Sequence, residues 1–371
     1  MTEKNFMDNF TDTEDLIGKF VQDIKTRGKK VVLFGTGYCL SAFVDLMNEN
    51  EIEIFALCDN NKNKFGTYIF DVEVKDWENI RNFEKEFDVV ISTSYFKEIE
   101  QQLKREGFSG NIYYLPSEAY YKNTLYGKSF LEKHKEEFQE VFDLLSDDIS
   151  KKVFINVIKH NISLDKKYYD NIKNLEIQGY FGTELYTEDD NDIIIDGGAF
   201  DGDTYREFLT ASDKVFKEYI AYEPDENNYK ILEKIQDGRL KIIKKGLGEK
   251  KGVLKFASGM GVSSAFSEEG DIEVEVDAID NLELEGKVTF IKMDIEGAEK
   301  LALQGAGRII KNDAPVLAIS AYHKKEDMYE LVKLIKEINP DYAIYYRHTF
   351  YYQKVEIQPD VVIYAKEKEQ K

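Results

Sequence analysis

The chain of 371 residues carries a formal charge of −21, with 42% hydrophobic and 13% aromatic residues. That length exceeds what one hydrophobic core organises and points to two or three domains, while so negative a balance disfavours a nucleic-acid partner, whose binding rests on cationic contacts to phosphate. No stretch approaches the ~20 apolar residues of a membrane span, and the acid-bearing start, MTEKNFMDNFTDTEDL, lacks a secretory signal's basic opening and apolar core. A cytoplasmic protein without an integral membrane segment is expected.

Residues 1–28 hold one amphipathic helical pattern, Leu16, Phe20 and Ile24, suited to packing. At Lys30 the texture changes to a strand, Val31-Val32-Leu33-Phe34, that runs into Gly35-Thr36-Gly37 and a helix with Leu40, Phe43, Val44 and Met47 at helical spacing. A second strand, residues 52–58, ends in Asp59-Asn60-Asn61; a third starts at Val89, and residues 111–115 close the unit. Alternating strand and helix signals imply a parallel sheet with helices on its faces, so residues 29–116 are expected to form a small Rossmann-like α/β domain. Gly35, Gly37 and Asp59 are its candidate nucleotide contacts, although the glycine pattern stops at GxG and serves equally well as a compact turn. Cys39 and Cys58, the only cysteines, lie in apolar stretches without metal-ligand spacing and read as buried thiols.

From 117 to 191 strand signals fade, and the segment reads as a helical bridge, with Phe138, Val141, Phe142 and Leu145 on one face. Strand signals return over 192–366, with an insertion containing Gly259, Gly261 and Gly270; residues 367–371 are a solvated tail.

The chemistry gathers in this last unit. Ile193-Ile194-Ile195-Asp196 is a buried strand ending in an acid, followed by Gly197-Gly198-Ala199-Phe200-Asp201-Gly202, a glycine turn that opens a helix and lets a ligand approach backbone amides. The next strand, Tyr219 to Tyr222, ends in Glu223, placed to accept hydrogen bonds from ribose hydroxyls. The spacing is DxGxxxG rather than GxGxxG; it suits an adenosine nucleoside bearing an amino acid and leaves a dinucleotide as the alternative. A third strand, Thr289 to Met293, presents Asp294 and Glu296, and carboxyl ends of strands are where ligands sit in open α/β sheets. Asp294 fits either that role or a helix cap, and Glu299 the cap alone. His323 follows a further strand and is either a general base or a solvated histidine at a helix start. Arg347 and His348 come after Tyr342–Tyr346 at an expected strand end; the guanidinium fits an acceptor phosphate or carboxylate, or a structural ion pair. Asp294 and Glu296 have no third ligand in view, so no metal is expected.

The runs DGGAFDGDT, AYEPDENNY and above all FIKMDIEGAEKLALQGA resemble those of the FkbM-type methyltransferases, a branch of the S-adenosylmethionine-dependent enzymes. The similarity continues through AISAYHKKEDMYELVKLI and YYRHTF and back into LLSDDISKKVF and GYF, covering roughly residues 140–366. The resemblance implies an α/β class I methyltransferase fold of Rossmann-like type with a mostly parallel sheet, S-adenosylmethionine as the cofactor, and methyl transfer to oxygen on sugars or polyketide-like products. It implies that Asp196, Gly198, Phe200 and Gly202 line the methionine and ribose side while Glu223 holds the ribose; Phe200 stands where many relatives carry a small polar residue. Gly35, Gly37 and the LCDNNKNKFG run resemble small Rossmann-like domains of sugar-modifying enzymes in cell-surface glycan pathways. That implies a small-molecule, nucleotide-sugar or glycan acceptor. Two other readings stand beside this one: an enzyme whose amino-terminal domain uses a nucleotide-sugar or nicotinamide, and a non-catalytic regulator that binds S-adenosylmethionine.

Overall fold

Short runs of β-branched and aromatic residues become the first sheet. Its strands are β1 (Lys30–Phe34), β2 (Ile54–Cys58), β3 (Tyr68–Ile69), β4 (Val72–Lys75), β5 (Phe87–Ile91) and β6 (Ile112–Tyr113), in the order β3-β4-β2-β1-β5-β6. The computed structural model describes residues 5–122, 124–212, 215–256, 272–350 and 360–368; Gly259, Gly261, Gly270 and the end of the tail lie outside them. β1 runs parallel between β2 and β5, and Val31 to Phe34 are buried on both faces, as a strand covered by helices must be. The hairpin β3–β4 departs from the expected parallel pattern. Its turn residues Phe70 and Asp71 sit at φ 50° and 57°, the left-handed pair of a type I′ turn, without the asparagine or glycine that would announce one in sequence. Cys39 and Cys58 are buried free thiols, and burial pushes the Cys39 thiol up to about 12.

The second sheet has the order β10-β9-β8-β14-β15-β17-β16-β7. Its strands are β7 (Glu176–Gln178), β8 (Ile193–Gly197), β9 (Glu218–Tyr222), β10 (Leu240–Ile243), β14 (Phe290–Met293), β15 (Val316–Ser320), β16 (Tyr342–Phe350) and β17 (Asp360–Glu367). Between β10 and β14, a separate small sheet is built from β11 (Gly246–Leu247), β12 (Gly252–Phe256) and β13 (Ile272–Asp277). β10, β9, β8, β14 and β15 are mutually parallel, so the carboxyl ends of β8, β9, β14 and β15 share one edge. β17 runs antiparallel to both β15 and β16. The architecture is the expected one: a largely parallel α/β sheet preceded by a smaller α/β unit.

Between the sheets lie the helices Lys128–Lys133, Lys135–Leu144, Asp148–Ser163 and Lys166–Asp170. Asp147 starts the longest of these, accepting a hydrogen bond from Ser150 N at 2.7 Å. This stretch is not wholly helical, because β7 pairs in parallel with β16 and closes the sheet edge; three residues are too few to show period-two alternation. The amino-terminal segment is also divided between two cores. Ile17, Phe20, Val21 and Ile24 of the helix Leu16–Lys25 pack on the first sheet's cluster, whereas Phe6 and Phe10 join the core of the second.

Phe6 is 1% exposed and its ring lies 5.0 Å from Phe10, 5.6 Å from Phe142 and 6.0 Å from Phe138 and Phe154. Phe6→Ala is expected to destabilise the chain by about 3–5 kcal/mol, the cost of lost transfer energy plus an aromatic-sized cavity. Urea unfolding reads this directly, and a loss under about 1 kcal/mol would show that the segment does not dock in solution.

Candidate active site

The turn after β8 is built from residues that only a close approach explains. Gly198 has φ +78°, and a Cβ there would stand 2.0 Å from the Asp294 carbonyl oxygen, so the strand ends of β8 and β14 touch through a position that admits no side chain. Gly202, at φ +89°, leads into the helix Asp203–Ala211. Phe200 takes φ +47° without being glycine, a strained conformation, and its ring is 42% exposed at the rim of the turn. Its N–H donates to Glu223 Oε2 at 2.8 Å, which offsets part of that strain. Glu223 follows β9 directly, is 6% exposed, and accepts a second backbone bond from Asp225 N at 2.8 Å; burial raises its carboxyl.

Behind the turn, Asp196 and Lys292 form a fully buried ion pair at 3.0 Å. Tyr219 donates its hydroxyl to Asp196 Oδ2 at 2.9 Å, while Lys292 Nζ donates to the carbonyls of Gly197 (3.1 Å) and Gly198 (2.8 Å). Burial alone would lower the Lys292 ammonium, but the charges of Asp196 and Asp294 outweigh it and hold it raised. Asp196 therefore differs from the expectation that it lines the ligand: its carboxylate is engaged inside the sheet and supports the turn from below.

A second group gathers at the ends of β14 and β15. Asp294 accepts hydrogen bonds from Tyr180 (3.0 Å) and Tyr322 (2.9 Å). His323, whose side chain is 4% exposed, places Nε2 at 3.4 Å from Asp294 Oδ1 and 3.6 Å from Glu296 Oε2, and Nδ1 at 3.0 Å from Glu299 Oε1. Glu296 (φ 58°) and Gly297 (φ 93°) make the left-handed bend that brings these carboxylates round the imidazole. Burial disfavours the charged imidazole, yet Glu299, Asp294 and Glu296 overcome it and raise His323 to about 10. Burial likewise raises Asp294, but His323, Lys292 and the two tyrosine hydroxyls outweigh it and leave the carboxyl below its ordinary range. The base role expected for His323 thus meets carboxylates that favour the protonated imidazole, and Asp294 and Glu296 stand beside it for the same role. Glu299 also exceeds the expected capping role: its Oε1 accepts from Ile295 N at 2.8 Å and faces the imidazole.

The remaining sequence candidates lie apart. Arg347 and His348 fall inside β16, not at its end. The Arg347 guanidinium is 1% exposed and bonded to Asp147 (2.7 Å) and Glu184 (2.6 Å), and His348 is buried with Nε2 at 3.2 Å from Glu176. Their placement at a strand end is corrected: Arg347 takes the ion-pair alternative, and His348 is a buried imidazole facing Glu176 on the neighbouring strand. In the first unit Gly35 sits at φ +116°, with room for no Cβ beside Thr93, and Gly37 opens the following helix turn. Asp59 reaches back across that turn to accept from Thr36 N (2.9 Å), while Lys64 Nζ donates to Thr36 O (2.7 Å). Sequence reasoning missed Lys292, Tyr180 and Tyr322. A lysine inside the apolar run Phe290-Ile291-Lys292-Met293 was the available signal for the first.

Residues 196–342 match the family model for the methyltransferase FkbM domain, and residues 27–112 match the one described as C2185-like, N-terminal. No curated protein matches the chain. Among solved structures, the methyltransferase FkbM of Methylobacillus flagellatus KT is 22% identical, covers 93% of this chain and 93% of its own, and has a TM-score of 0.57, which shows a shared fold. More distant are the precorrin-6y C5,15-methyltransferase of Geobacter metallireducens GS-15 (15% identical, 48% of this chain, 82% of its own, TM-score 0.30) and the plantazolicin methyltransferase BpumL, solved with SAH (12%, 63%, 99%, 0.29).

Two outcomes are expected from the supports of the site. Lys292→Met leaves Asp196 as a buried, uncompensated charge and should destabilise by about 3–5 kcal/mol in urea unfolding; adding Asp196→Asn should recover much of that, whereas equal losses would deny the pairing. Glu207 holds the Tyr180 and Phe181 amides at 2.7 and 2.9 Å, and burial raises its carboxyl from 4.5 to about 7, against those bonds and the Lys292 charge and with Asp203 adding to the rise. Its contribution to stability is thus fully present below about pH 4.5 and lost as pH rises through about 7. Melting temperatures taken from pH 5 to 8 should fall less steeply for Glu207→Gln than for the wild type.

Proposed function

Because residues 196–342 belong to the methyltransferase FkbM domain family, we propose that the chain transfers the methyl group of S-adenosylmethionine to a hydroxyl oxygen of a sugar or glycan-related small molecule. The observation that carries this reading is the contact of Gly198 with Asp294, which sets the glycine turn and Glu223 directly against the carboxylate cluster. One half suits a nucleoside donor and the other an incoming hydroxyl. Each oxygen of Glu223 already accepts one backbone N–H, Asn228 adds a side-chain bond, and the carboxylate has a lone pair left to offer a ribose hydroxyl. The Phe200 ring, exposed at the rim, is the side chain that would cover the donor.

In the reaction the acceptor oxygen attacks the methyl carbon opposite sulfur. The new C–O bond forms as the C–S bond breaks, sulfur keeps the bonding pair and becomes a thioether, and the hydroxyl proton leaves toward the Asp294 and Glu296 carboxylates. The sulfonium methyl is already electrophilic, so alignment is the first requirement and proton removal the second. His323 faces both carboxylates, and Tyr180 and Tyr322 fix the orientation of Asp294. Asp294, Glu296 and His323 thus form the acceptor side of the site.

Calorimetry with S-adenosylmethionine should show a loss of about 1–3 kcal/mol for Glu223→Ala, the cost of removing a buried hydrogen-bond partner. With an isotopically labelled methyl donor and a panel of sugar and nucleotide-sugar acceptors, Asp294→Asn should lower kcat by about 10²–10⁴-fold while leaving the donor's Kd nearly intact. Unchanged donor affinity in Glu223→Ala, or the absence of labelled product from every acceptor, would overturn the assignment.

A further inference from the structure

Folding supplies what the sequence lacks at residues 294 and 296, a third ligand. His323 arrives from β15 with Nε2 facing Asp294 Oδ1 at 3.4 Å and Glu296 Oε2 at 3.6 Å. Both separations exceed the about 2.7–2.9 Å of a charge-assisted hydrogen bond. They are also wider than the about 3.0 Å between neighbouring ligands of one octahedral ion at about 2.1 Å, so an ion seated here would draw the carboxylates inward by about half an ångström. Asp294, Glu299 and His323 each offer a ligand atom within 4.8 Å of the other two.

Two independent features surround this spacing. Glu299 is 1% exposed, and its Oε2 has no hydrogen-bond partner among the described residues, a buried carboxylate oxygen of the kind that an ion or a water satisfies. Its Oε1 lies 3.0 Å from His323 Nδ1, the arrangement in which a carboxylate behind the imidazole fixes the tautomer that leaves Nε2 to ligate. Three carboxylates also meet a single imidazole.

We propose that Asp294, Glu296 and His323 bind a divalent cation of the Mg²⁺ or Mn²⁺ class, with Glu299 orienting the imidazole, and that the cation's open positions take the acceptor's hydroxyl oxygen. Carboxylate and water ligands suit these hard cations, and one imidazole is compatible with Mn²⁺. The ion takes the place of the Nε2 proton. Its role rests on the methyl-transfer reading: a hydroxyl bound to it is acidified and becomes a competent nucleophile near neutral pH, its proton leaving through Glu296, the most exposed of the three ligands, to solvent. Binding of the ion does not rest on that reading.

The test is direct binding of Mn²⁺ to the full chain after dialysis against a chelator, read as loss of the free-ion electron paramagnetic resonance signal without any methyl donor. One site per chain is expected, displaced by Mg²⁺, and weakened at least tenfold in Asp294→Asn and in Glu296→Gln. Glu223→Ala, in the donor half, should bind Mn²⁺ as the wild type does. Absence of a stoichiometric site at millimolar Mn²⁺ overturns the proposal and leaves the cluster as an ion-paired imidazolium; so does binding that both carboxylate variants retain. Circular dichroism on each variant separates lost ligation from lost fold, and an Asp294→Asn that fails to fold leaves the decision to Glu296→Gln. Mn²⁺ bound at this site in a chain that methylates no acceptor would uphold the cation site and refute the methyl-transfer reading alone.

Discussion

The site depends on one buried ion pair. Lys292 and Asp196 sit on neighbouring strands of the second sheet, both inaccessible to water, and neither charge is tolerable there without the other. Lys292 does more than neutralise: its ammonium binds the carbonyls of Gly197, which also accepts from Asp294 N, and of Gly198. The glycine turn is thereby tied to β14 as well as to its own strand. Because Asp294 follows β14 by a single residue, the same lysine sets the spacing between the two halves of the site.

Around this anchor the groups that matter come from distant parts of the chain and are held by donors with few alternatives. Tyr180 is reached by Glu207 through its backbone and reaches Asp294 through its hydroxyl. Tyr322 approaches the same carboxylate from β15. Rigid support of this kind is what a reaction governed by alignment needs. The strain at Phe200 and Glu296, both at positive φ, falls on the two bends that face each other, where the surrounding bonds over-determine the backbone.

Much of this was legible in sequence, and the boundary is physical. Strand, glycine turn and terminal acid follow one another along the chain, so Gly198, Gly202, Glu223 and Asp294 could be placed by local pattern. What a charge does after folding is set by its neighbours in space. Asp196 looks like a ligand contact until Lys292 is placed 3.0 Å away; Arg347 looks available until Asp147 and Glu184 close on it. The expectation of His323 as a proton acceptor omits its surroundings for the same reason, since nothing in its local sequence announces three carboxylates. The hairpin β3–β4 and the short β7 escaped because each is too brief, or its turn too irregular, to produce a periodic signal.

The position of β17 has a consequence for how the chain reaches its native state. It lies between β15 and β16 although it follows both in sequence. A ribosome therefore delivers β15, which can pair with β14, and β16, which can pair with β7, each with its other hydrogen-bonding edge unpaired until residues 360–367 emerge. The β16–β7 pair cannot join the rest of the sheet before then, while β8, β9, β14 and β15 can already pair. The catalytic sheet is thus assembled in two stages, and the exposed apolar edges of the interval are the kind that chaperones shield.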